Sequence, residues 1–61
     1  MQSLTQTEVE NLRRIIGEHG MIANKLEAYA QTAMDSELKT MLQRDAQAAK
    51  TAQQQLLTFL Q

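Results

Sequence analysis

The stretch TAMDSELKT, residues 32–40, decides the fold. Upstream of it, apolar residues recur in alternating steps of three and four: Val9, Leu12, Ile16, His19, Ala23, Leu26, Ala30, Ala33. That spacing keeps one face of an α-helix apolar. At Met34-Asp35-Ser36-Glu37 the pattern stops. Asp35 is a good helix N-cap, because its short carboxylate can accept from an amide of the next turn. Glu37 then falls in a first turn, where the helix dipole favours negative charge. No Gly or Pro is present to build a long loop, so a tight αα-hairpin connection near residue 35 is expected. One uninterrupted helix is the alternative, and it would leave this start signal unused.

Downstream the spacing resumes at Leu38, Leu42, Asp45, Ala49, Ala52, Leu56 and Phe59. Small residues fill the middle, where they let two helices approach closely. Upstream, Thr5-Gln6-Thr7-Glu8 fits a capping box, in which the Thr hydroxyl and Glu carboxylate satisfy each other's backbone amides. The reading is a single helical-hairpin domain over residues 1–61, with helices at about 6–34 and about 36–60. The fold class is all-α.

Composition narrows the function. Ala, Gln and Leu dominate, there is no proline and no cysteine, and the formal net charge is −1. Disulfides and thiolate metal sites are therefore excluded. No basic block is available to neutralise phosphates, so no nucleic-acid partner is expected. The apolar runs are far shorter than the ~18 residues needed to span a bilayer, and no secretory leader is recognised, so no membrane partner is expected. The expected location is cytoplasmic.

Each helix has a wide apolar face, because Ile15, Ile22 and Tyr29 extend the first stripe and Met41, Ala48 and Leu60 the second. A lone hairpin covers only part of such faces. A two-fold homodimer forming a four-helix bundle covers the rest. The expected dimer core is Leu12, Ile16, His19, Ala23, Leu26, Leu42, Asp45, Ala49, Ala52 and Leu56.

His19 and Asp45 are polar residues inside these stripes. Projection at about 100° per residue puts each near the centre of its face, so both are expected to be buried and in need of partners. In an antiparallel dimer, His19 of one chain falls within about a helical turn of Asp45 of the other, forming a polar layer that sets register. Glu18, His19 and Asp45 are also the candidate metal ligands. The di-iron bundle signature needs Glu-x-x-His on one helix, and the only His here is preceded by Ile16 at that spacing. No metal site, cofactor or catalytic set is assigned. Ser3 and Ser36 sit at helix starts as capping residues, and the Gly17–Gly20 pair lacks the strand and lysine of a phosphate loop. The 3,4 pattern passes through both glycines, which project away from the apolar centre and are expected to make no room inside the hairpin.

Over residues 23–60 the chain resembles the Coat F family of bacterial spore-coat proteins. Lys25, Tyr29-Ala30, Asp35-x-Glu37-Leu38-Lys39 and the spaced leucines carry the resemblance, with weaker matches at Leu4-Thr5 and Glu18. The family is similar to ferritin-like four-helix bundles, of which this chain would supply half. Many members carry an acid on the first helix and acid-x-x-His on the second. Here the acid would be Glu18 and the pair falls on Ala49 and Ala52, so iron chemistry is not implied. The resemblance implies a non-enzymatic structural or interaction protein of the spore coat, tied to sporulation, with other coat proteins as possible partners. Two alternatives are a degenerate metal binder using Glu18, His19 and Asp45, and a helical adaptor that pairs with a different protein.

Overall fold

A computed structural model describes residues 3–61. The protein is an antiparallel pair of helices, α1 (Gln6–Thr32) and α2 (Ser36–Leu57), and α2 tightens into a final 3-10 turn, Thr58–Leu60. No strand occurs among the described residues.

Local chemistry sets the helix ends. Thr5 caps α1 through a full capping box: its hydroxyl accepts from the Glu8 amide at 3.1 Å, and its own amide donates to Glu8 Oε1 at 2.9 Å. Two otherwise orphaned donors are thereby satisfied. The Thr5 backbone amide, with a smaller contribution from its hydroxyl, holds the Glu8 carboxyl below its usual value of 4.5. At the other end the Ala33 amide donates to Tyr29 O at 2.9 Å, after which the chain extends. Asp35 Oδ1 accepts from the Leu38 amide at 2.8 Å and starts α2. The connection, residues 33–35, needs no glycine because Ala33 (φ −68°) and Asp35 (φ −79°) both adopt ordinary extended angles.

The core between the helices is thin. Ile16, Ala23, Ala30 and Ala46 are the buried residues, and no large side chain is fully buried among the described residues. The first three recur every seven positions along α1, the signature of a close, near-antiparallel crossing. Alanine seams bring the helix axes together, but each contributes little apolar area.

On α2 the seam differs from the expected one. It runs through Leu42, Ala46, Ala49, Gln53 and Leu56, all of reduced exposure. Asp45, expected to be buried, is exposed, and Ala46 takes its place. Ala52 sits half-buried at the edge of the seam. Both 42-45-49-52-56 and 42-46-49-53-56 obey 3,4 spacing, so the sequence period alone selects neither. Packing against α1 selects the second, because Gln53 finds a backbone partner there and Asp45 finds none.

Candidate functional site

A hairpin of two helices has two broad sides, and their chemistry here is opposite. On one side, a groove is lined by Glu27, Gln31, Gln43, Gln47 and Lys50 together with the buried Ala30 and Ala46. The Lys50 ammonium pairs with the Glu27 carboxylate across it. Gln53 Nε2 on the same side donates to the Ile16 carbonyl at 3.0 Å. That carbonyl already accepts from Gly20 within the α-helix, and its second lone pair receives the glutamine. Gly20 makes this approach possible: a Cβ at position 20 would lie 2.6 Å from Gln53 Nε2. The expectation that neither glycine makes room inside the hairpin is therefore corrected for Gly20. For Gly17 nothing lies within 4 Å of such a Cβ, and it faces open space.

The opposite side is apolar. Projected at about 100° per residue, Ile15, Ile22 and Tyr29 of α1 fall on it together with Leu38, Met41 and Phe59 of the α2 segment. Because the helices run in opposite directions, these two rows face the same way. The six side chains of the two rows are exposed: Ile22 by 46%, Met41 by 60%, Phe59 by 46%. Leu4, Leu12, Leu56 and Phe59, with Glu8 beside them, line one cleft at the open end of the hairpin, joining the rows across it. Large apolar side chains on a single contiguous face mark an interaction surface more than scattered ones do.

The polar residues singled out in the sequence are divided by this geometry. His19 is half-buried at the inner edge of the apolar side, and its Nδ1 lies 2.8 Å from the Ile15 carbonyl. A carbonyl only accepts, so Nδ1 donates in this arrangement and Nε2 is left free. Asp45 is exposed and projects onto the apolar side of α2, further from the seam than His19, and Glu18 is exposed at the outer edge of α1. Glu18, His19 and Asp45 do not converge within the chain: among the described residues no three His, Cys, Asp or Glu side chains are grouped to hold a metal ion. Of the expected dimer core, Leu12, Ile16, Ala23, Leu26, Leu42, Ala49 and Leu56 line the seam between the two helices or its margin. No described helix is long and apolar enough to cross a membrane.

Gln53 and Gly20 are the pair that sequence reasoning missed. A glutamine at a seam position three to four residues from two apolar ones was the available signal.

The chain matches no family model. It likewise matches no curated protein and no solved structure.

Proposed function

We propose that the chain is a non-enzymatic structural and interaction protein that works as a homodimeric four-helix bundle, each hairpin supplying half. The observation that carries this reading is surface area. The chain exposes 4965 Å², whereas a compact monomer of this mass would expose about 4,000 Å². The excess of about 1,000 Å² matches the roughly 800 Å² that each partner buries in a standard interface. Shape agrees: the hairpin measures 46 × 17 × 12 Å with a radius of gyration of 14.3 Å. A compact chain of this length would have about 10.5 Å, and one twice as long about 13.7 Å. Stacking a second hairpin thickens the short dimension without lengthening the molecule.

Association with a spore coat rests on the resemblance of residues 23–60 to Coat F proteins, with Asp35-x-Glu37-Leu38-Lys39 now forming the N-cap and first turn of α2. Light scattering on the purified protein at micromolar concentration tests the dimer. A mass of about twice 6.9 kDa is expected, and the dimer should melt at a temperature that rises with concentration. A monomer that melts cooperatively, independently of concentration, would overturn the reading. Expression restricted to sporulation is the expected pattern, and expression confined to vegetative growth would remove the coat assignment.

A further inference from the structure

Resting on that homodimer reading, we infer that the second copy docks on the apolar side in inverted orientation, with the two turns at opposite ends. In that arrangement α1 lies on α1 of the other copy and α2 on α2. The two-fold axis passes between His19 and Ile22 of α1 and beside Ala48 of α2.

Register within the hairpin supports this. Ile16 is level with Gln53 through their hydrogen bond, and Leu12 lines a cleft with Leu56. Heights along both helices can then be compared at about 1.5 Å per residue. The apolar row of α2 is large toward its ends, Leu38, Met41 and Phe59, and small at its middle, Ala48 and Ala52. Inverted about Ala48, Leu38 comes within about one residue of Phe59 of the second copy, and Ala48 meets Ala48 at the centre, where the helices can close. The same operation on α1 sets His19 against Ile22, Ile15 against Leu26 and Leu12 against Tyr29.

Charge separates this arrangement from its rival, in which both turns lie at one end and α1 packs on α2 of the other copy. The rival sets Lys25 level with Arg44 of the second copy, on the same outer edge, twice by symmetry. The inverted dimer sets Lys25 within about 3 Å in height of Glu18 of the second copy. Arg14 lies at a similar height but projects further from the face. Like charges repel across such seams and unlike ones attract. The polar residues give the same answer. In the inverted dimer His19 of one copy comes within about 3 Å in height of Asp45 of the other, His19 at the inner edge of its helix and Asp45 on the apolar side of its own. In the rival the offset is about 7 Å. The inverted dimer thus gives the exposed Asp45 carboxylate a partner that its own chain lacks.

The absence of native cysteine makes the test direct. Ser36, exposed at the first position of α2, is replaced (Ser36→Cys) and spin-labelled, and the distance between labels is read by pulsed electron resonance. In parallel, the Ala48→Cys variant is oxidised. A dimer with a label distance of roughly 40 Å and an efficient disulfide between the two copies of the Ala48→Cys variant is the expected result. A dimer with labels closer than about 25 Å leaves the homodimer standing and overturns its inverted orientation. A long distance without the cross-link overturns the choice of face. A monomer at all concentrations removes both the inference and the reading beneath it.

Discussion

The two sides of this hairpin are built from the same two helices and differ in how they are finished. On the polar side, each group that approaches the seam finds a partner in its own chain: Lys50 has Glu27, Gln53 has the Ile16 carbonyl, and Gly20 clears the space. On the apolar side, Ile22, Met41 and Phe59 are left about half exposed with nothing from the chain over them. The polar side teaches how a thin seam of alanines is held in register. The apolar side teaches what that seam cannot do. Four core residues, three of them alanines, bury little apolar surface to set against the ordering of the 27 and 22 residues of the two helices.

The sharpest way to break this contrast is to place a charge on each side. Ile22→Asp, at the centre of the apolar side, should weaken dimerisation by about 30-fold or more, since an unpaired carboxylate in a closed interface costs a few kcal/mol. Gln47→Glu, at a comparable height on the polar side, should change it by less than about threefold. Sedimentation equilibrium on both variants decides the matter, and equal effects would erase the distinction between sides.

The next largest effect concerns the phase of α2. Ala46→Leu forces a larger side chain into the seam and should lower stability by about 1–3 kcal/mol in urea unfolding at fixed protein concentration. Asp45→Ala removes an exposed side chain from the hairpin itself. If Asp45 meets His19 across the inverted dimer, this second variant should weaken dimerisation modestly, and a dimer of unchanged affinity would dissolve that polar layer.

The two glycines sharpen the comparison at smaller scale. Gly17→Ala fills open space and should stabilise by about 0.5–1 kcal/mol through helix propensity alone. Gly20→Ala should gain less, by about 1 kcal/mol, because the new Cβ displaces the Gln53 amide from the Ile16 carbonyl. In a Gln53→Ala background the two substitutions should become equivalent. A double-mutant cycle on thermal unfolding measures this coupling, and a cycle that closes at zero would show that the Gln53 bond contributes nothing to register.

The smallest effect is at the α1 cap. The Glu8 carboxyl is held low by the Thr5 backbone amide and hydroxyl. A carboxyl depressed in the folded state contributes stability above its unfolded value, and loses it as pH falls through the folded one. Stability should therefore decline below about pH 4.5, and Glu8→Gln should flatten that part of the acid limb. An unchanged acid limb in the variant would place the loss elsewhere.

Much of the fold is legible locally. The Thr5–Glu8 box, the Asp35 cap and the end of the apolar period near Ala33 each depend on residues within one or two turns, so short-range chemistry suffices to place them. The phase of α2 is not legible in the same way. Its 3,4 pattern admits two seams one residue apart, and hydropathy prefers neither clearly when one candidate carries Asp45 and the other Gln53. Only the partner helix discriminates, by offering a carbonyl that the longer amide can reach.

By itself the amino-acid sequence determined that this chain is all-helical, where its helices begin, and that two of them fold back on each other. Those outcomes follow from backbone capping and from a period that repeats over many turns. The tertiary structure alone decided that Ala46 and Gln53 face inward, that Asp45 does not, and that Gly20 and Gly17 do different work. Each of those depends on which atoms of the other helix lie opposite. That same docking turns Ile15, Ile22 and Tyr29 of α1 and Leu38, Met41 and Phe59 of the α2 segment to one side. Relative rotation of two packed helices is set where their surfaces meet, and a linear pattern leaves it open by about one residue.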